Sequence, residues 1–181
     1  MNERCKCGAV LAQDWWLFCP ECYVVERNAA RAGSSGHRLS IELVPSTCWY
    51  SNLRNAVSVA DWDDIRRAAY AAGGYRCGVC GVSAVLHCHE VWHYDDVKHV
   101  QRLDGFVALC KLCHMTKHIG YAGLFFDDYN GLIRHFMRVN GCSYRDFVLA
   151  RSLAFDVWRE RSAFDWVQDL GKYASMVAGK S

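Results

Sequence analysis

The sequence predicts an α+β protein in three parts: a small core stapled by zinc, a zinc ribbon ahead of it and a helical extension behind it. Three observations lead there. Cys77, Cys80, Cys110 and Cys113 form two Cys-x2-Cys knuckles with 29 residues between them. Cys5, Cys7, Cys19 and Cys22 place a second pair of knuckles near the N-terminus. Beyond residue 120 the apolar residues recur at helical spacing. The implied units are residues 1–36 (ribbon and linker), 37–120 (core) and 121–181 (extension).

Composition narrows the class. The chain has 181 residues, 52% apolar and 22% charged, which suits a folded globular protein rather than a disordered one. No apolar run reaches the roughly 18 residues of a membrane span, and "MNERCKCGAV" lacks the basic-then-apolar layout of a secretion signal. The expectation is a cytoplasmic protein without a membrane partner. Eleven cysteines, an odd number, argue against a pure disulfide framework, and paired cysteines in a reducing compartment more often bind metal. The formal charge of +2 is spread evenly: four basic and four acidic groups in 1–36, nine and eight in 37–119, eight and seven in 120–181. Any phosphate-binding face must therefore be assembled by folding.

Each element can be justified in order. Two knuckles at 5/7 and 19/22 supply four thiolates, the tetrahedral number for structural zinc. "ERNAARAGSSGHR" (Glu26 to Arg38) reads as a linker around its Gly-Ser-Ser-Gly centre. Alternation in "LSIELV" (Leu39 to Val44) suggests a short strand stopped by Pro45. "TCWYSNLRN" (Thr47 to Asn55) reads as an aromatic loop packed on the core or touching a ligand. "SVADWDDIRRAAYAAGG" reads as a helix: Ser58 and Asp61 resemble a capping box, Ile65, Ala68, Ala69 and Ala72 share a face, and Gly73-Gly74 ends it. In the last third, Ile133, Phe136 and Met137 mark one helix stopped at Asn140-Gly141. Ser143 to Asp146 cap a second, with Phe147, Val148, Leu149, Leu153, Val157 and Trp158 available for its buried side. Ser162 to Asp165 open a third carrying Trp166 and Leu170.

The chemistry concentrates in "LCKLCHMTKHIG" (Leu109 to Gly120). Cys110 and Cys113 complete a four-thiolate site with Cys77 and Cys80, which closes its coordination sphere. His114 and His118 are then free, and a spacing of four puts both on one helix face. A further donor is expected from "VLHCHEVWHYDD", where His87, Cys88, His89, Glu90 and His93 stand between the knuckles.

Over Tyr75 to Gly120 these residues resemble the HNH endonuclease superfamily. Its site is a two-stranded hairpin followed by one helix gripping a metal, the ββα-metal fold. The wider sequence is also similar to a group of bacterial and phage HNH proteins. The resemblance implies that "CHE" (Cys88, His89, Glu90) holds a metal-ligand position followed by the histidine general base. One register makes His89 the base with Cys88 or His87 near the metal. The other makes His89 the ligand and Glu90 the base. His114 and His118 match the ligands on the family's helix, and Gly105 stands where the family carries an asparagine that helps orient the base.

The implied activity is metal-assisted hydrolysis of phosphodiester bonds in DNA, RNA not being excluded, with a 5′-phosphate product. The implied cofactors are two structural zinc ions and one catalytic divalent ion: Mg2+, Mn2+, Ni2+ or Zn2+. Arg76, Lys111 and Lys117 are candidate phosphate contacts. The N-terminal ribbon is an extra DNA contact or a protein-docking module. The C-terminal helices are a candidate homodimer interface. A non-catalytic zinc module that recruits nucleic acid or protein is the competing class.

Overall fold

The chain is described from a computed structural model, which covers residues 4–5, 7–9, 19–31, 36–49 and 51–178. In order it runs through α1 (Pro20–Arg31), a 3-10 turn (Ser46–Cys48), α2 (Leu53–Ala56), α3 (Val59–Ala72), β1 (Leu86–Asp95) and β2 (Val100–Cys110). It continues with α4 (Lys111–Lys117), α5 (Ile119–Phe125), α6 (Tyr129–Asn140), α7 (Tyr144–Arg161), β3 (Val167–Asp169), a second 3-10 turn (Gly171–Tyr173) and α8 (Ala174–Ala178). This is the α+β class, and no helix among the described residues is long and apolar enough to cross a membrane.

The hairpin organises the rest. β1 and β2 pair antiparallel from Leu86↔Cys110 to Asp95↔Val100. Val91 pairs with Gly105 and Trp92 with Leu103, which leaves Asp104 as the extra residue of a β-bulge. Because Leu86 faces Cys110 and α4 begins at the next residue, His87 and His89 arrive beside the first turn of α4. One apolar cluster joins Leu109, Cys113, Ile119, Leu132, Phe136 and Phe147. A second joins Leu53, Val57, Ile65 and Leu103, with Trp62, Trp92 and Phe106 packed against it.

Helix boundaries follow local chemistry. Ser58 caps α3 by accepting the Asp61 N–H at 3.1 Å. The buried side of α3 is Ile65, whereas Ala68 and Ala72 are exposed, so the expected four-residue stripe is narrower than its spacing suggests. α6 stops at Gly141, which takes a left-handed φ of 61° that a side chain would disfavour. α7 opens on a reciprocal capping box between Ser143 and Asp146.

Three sequence expectations are corrected. Glu26 to Arg31 are not linker but the second half of α1, which lies on α7 through Tyr23 to Asp156 and Arg27 to Glu160. Ala32 to Ser35 lie outside the described residues. Leu39 to Val44 form no strand, because their backbone is held by other groups. Asn140 brackets Leu39, accepting its N–H at 2.9 Å and donating to its carbonyl at 3.0 Å. The Glu42 N–H donates to the Lys117 carbonyl at 3.0 Å, and the Trp158 indole donates to the Val44 carbonyl at 3.0 Å. The expected third helix at Ser162 is instead a turn leading to β3, which pairs parallel with Val100 to Arg102 of β2. There the backbone groups of Val167 to Asp169 find partners on a free sheet edge, which a helix would leave bare.

The α7 cap yields a pH-dependent expectation. Hydrogen bonds from the Ser143 hydroxyl and backbone N–H hold the Asp146 carboxyl below the usual carboxylate range. A depressed folded-state pKa stabilises above the unfolded value, near 3.9, and that stability is lost as pH falls through the folded value. Ser143→Ala should cost about 1 kcal/mol at neutral pH. Urea melts should show the gap between the two proteins narrowing below pH of about 4.

Candidate metal centres

The core knuckles meet through turn chemistry. After α3 the chain reverses so that the Gly81 N–H donates to the Cys77 carbonyl at 2.9 Å. The Gly78 N–H donates to the Ala108 carbonyl at 2.8 Å, and a Cβ on Gly78 would lie 2.8 Å from Val107 Cγ2. Only glycine lets the knuckle sit this close to β2. Cys110 ends β2 and Cys113 sits in the first turn of α4, so the four sulfurs converge with every pair within 4.8 Å.

Their separation fits a tetrahedral ion. Zinc–sulfur bonds of about 2.3 Å set the edge of the tetrahedron at about 3.8 Å. Cys80 and Cys110 sulfurs are 3.7 Å apart, and in the N-terminal group Cys7 and Cys19 sulfurs are 3.6 Å apart. A disulfide needs about 2.05 Å, and all eleven cysteines are free thiols. Protonation points the same way. Burial, then the neighbouring Cys110 and Cys77 sulfurs, push the Cys113 thiol far up. Burial also opposes ionisation of Cys77, but the backbone N–H groups of Cys110 and Cys80 win and draw it down to about 7. Four thiolates in one buried space require a cation, and a dication reverses the rise at Cys113 and deepens the fall at Cys77.

One buried group supports this centre and was not singled out from the sequence. His135, on α6, has Nε2 3.1 Å from the Cys113 sulfur and Nδ1 2.9 Å from Arg138 Nη2. A guanidinium only donates, so Nδ1 accepts and Nε2 carries the proton that is donated to sulfur. Burial lowers the pKa of His135, which keeps the ring neutral. Its position beside Phe136 in an apolar stripe hid this contact from pattern reading.

The second centre is built from nitrogen. Donor atoms of His89, His114 and His118 lie within 4.8 Å of one another. Ring centroids are 5.4 Å apart for His89 and His114, 4.9 Å for His89 and His118, and 4.8 Å for His114 and His118. Burial, then the neighbouring imidazoles, pull His114 down to about 3 and His118 to about 4. Both rings are neutral at physiological pH, the form that binds metal. The triad opens on a cleft of about 1230 Å³ whose walls include Glu42, Trp49, Arg54, Glu90 and Trp92.

Strand alternation sorts the expected strand residues. His87 lies on the same side as His89 and stacks on His114 at 5.3 Å. Cys88 is outside the nitrogen cluster. Burial, then the Glu90 charge, raise its thiol to about 11. Glu90 is also turned away: Oε1 accepts the N–H groups of Leu53 and Arg54 at 2.9 and 3.4 Å, and Oε2 accepts the Trp92 indole N–H at 3.2 Å. Its carboxylate anchors the start of α2, and burial raises its pKa against those donors.

The candidate phosphate contacts separate likewise. Arg76 is exposed and donates to the Gly81 carbonyl at 3.1 Å. Lys111 is exposed, with its ammonium 5.2 Å from the Phe126 ring. Lys117 is only 6% exposed and its ammonium is committed to Ser40 and Glu42, so it does not meet a phosphate at the surface. His93 is exposed, and His99 stacks on Phe164 at 4.2 Å at the far end of the hairpin.

Glu42 joins this centre without any motif to mark it. Its Oε2 lies 3.1 Å from His89 Nε2, and its other oxygen meets Lys117 and Ser40. Burial opposes its ionisation, but the bond to His89 and the Lys117 charge prevail and hold the carboxyl far below the usual range. No signal in the sequence joins residue 42 to residue 89. No family model, curated protein or solved structure matches the chain.

Two four-cysteine groups suited to zinc, and a histidine triad able to hold a third ion, are therefore present. After dialysis against buffer the protein should retain two zinc ions per chain by elemental analysis. A strong chelator should remove them with loss of near-UV circular dichroism, because structural zinc binding is part of the folding free energy. A zinc count of zero in a folded protein would remove both assignments.

Proposed function

We propose that this chain is a metal-dependent phosphodiesterase of the ββα-metal (HNH) type that hydrolyses DNA. One observation carries the reading. A hairpin running directly into a helix gathers His89, His114 and His118 around a common point, beside but separate from a four-thiolate group. Sulfur closes one centre, and three nitrogens leave the other open to a substrate oxygen.

The residues divide the work as follows. His114 and His118 hold the ion. A divalent ion bound there supplies Lewis-acid charge at the phosphate and at the leaving 3′ oxygen. His89 takes a proton from water at the ring nitrogen that does not face Glu42, in the neutral form that a general base requires. Glu90 is not assigned as base, because both of its oxygens already accept N–H groups. Imidazole donors without the Cys88 thiolate suit manganese, nickel or zinc, and open positions admit magnesium.

Two observations favour other readings. The grouping of all three donors within 4.8 Å favours His89 as a third ligand. Gly105, in the slot where the resembled family carries asparagine, favours a non-catalytic metal module that recruits nucleic acid or protein.

Plasmid nicking with a panel of divalent ions distinguishes these. As a nuclease, the wild type cleaves only with added ion. His89→Ala lowers the rate by about 10²- to 10⁴-fold, the usual contribution of a general base, while ion affinity stays near that of the wild type. Loss of affinity together with activity marks His89 as a ligand. An absence of ion-dependent cleavage by the wild type, with both zinc ions in place, leaves the module reading. End-labelled products should carry 5′-phosphate.

A further inference from the structure

The contacts of Glu42 go beyond an ordinary ion pair. Oε1 accepts from the Ser40 hydroxyl at 2.8 Å and from the Lys117 ammonium, which also donates to Ser40 at 3.1 Å. Oε2 is left for His89 Nε2 at 3.1 Å. The backbone around it is fixed independently: Leu39 by Asn140, Glu42 by the Lys117 carbonyl, and Val44 by Trp158. Lys117 sits between His114 and His118 in sequence. A carboxylate reaching in from residue 42 therefore ties the hairpin imidazole to α4, which carries His114 and is C-capped by His118.

We propose that Glu42 is a positioning residue: its carboxylate accepts the Nε2–H of His89 and turns the Nδ1 lone pair toward the space shared with His114 and His118. An ionised carboxylate only accepts hydrogen bonds, so the nitrogen facing it must carry the proton. A neutral imidazole has one proton, and the other nitrogen then holds the free pair. Carboxylate partners of this kind fix the tautomer and ring orientation of functional histidines. Glu42 thus takes the orienting role that Gly105 has no side chain to perform. Lys117, itself buried, holds the carboxylate in place and offsets its charge.

The inference rests on the nuclease reading for its catalytic consequence but not for its tautomer. Protein retaining both zinc ions, labelled with 15N in histidine and kept free of the third ion, should show His89 as the Nε2–H tautomer in long-range proton–nitrogen spectra. Finding the proton on Nδ1 overturns the proposal whatever the nicking assay gives. Glu42→Ala should lose the single tautomer and lower kcat by about 10- to 100-fold, with KM little changed. Glu42→Asp should recover part of both.

Because Glu42→Ala strands a buried ammonium, the double variant Glu42→Leu with Lys117→Met removes both charges and the hydrogen-bond acceptor together. Persistent loss of kcat and of the pure Nε2–H tautomer in that folded variant supports the positioning role. Recovery of both to wild-type values would show that Glu42 merely neutralises Lys117. Should the wild type cleave nothing, the function falls while the tautomer still decides the role of Glu42.

Discussion

Convergence of four sulfurs from Cys77, Cys80, Cys110 and Cys113 is the constraint on which the rest of the structure depends. It joins the turn after α3 to the point where β2 becomes α4. Residues this close to one another cannot ionise together in a buried space without a cation. An ion held by them would couple to folding, and this junction sets the direction in which α4 leaves the hairpin. That direction decides where His114 and His118 point. Buried Leu109 and Cys113 carry the same junction into the apolar cluster of Phe136 and Phe147, so the ionic and hydrophobic parts of the core are one unit.

The two centres of this region differ in donor and in access. Sulfur is enclosed, backed by His135 from α6, and has no open position to offer. Nitrogen borders a cleft, and burial keeps the His114 and His118 rings neutral. A rigid, closed site next to an open one is a sound arrangement for chemistry, since the first holds the second to its geometry while taking no part itself.

The segment Leu39 to Val44 gives the fold its third wall. It lacks sheet pairing yet is bonded along its length by α6, the end of α4 and α7. It places one carboxylate against His89 and one buried ammonium against that carboxylate. An extended chain fixed by side-chain donors has no periodic signature beyond apolar alternation, which explains why it reads as a strand. On the opposite side Glu90 holds the start of α2, so two acidic residues brace the hairpin from two directions.

Local chemistry made much of this protein legible. Knuckle spacing marked both thiol groups, the four-residue spacing marked His114 and His118, and capping residues at Ser58, Ser143 and Gly141 set helix ends, because each signal lies within a few residues of chain. Contacts across long separations were not legible. Glu42 meets His89 across 47 residues, His135 meets Cys113 across 22, and β3 finds the edge of β2 across 67. Residue type alone also did not reveal that Cys88 and Glu90 turn away from the nitrogen cluster, since alternation has two registers and only the packed hairpin selects one. The sequence by itself determined which atoms are available to bind metal. Only the tertiary structure decided which face one another, because direction in space is a property of packing.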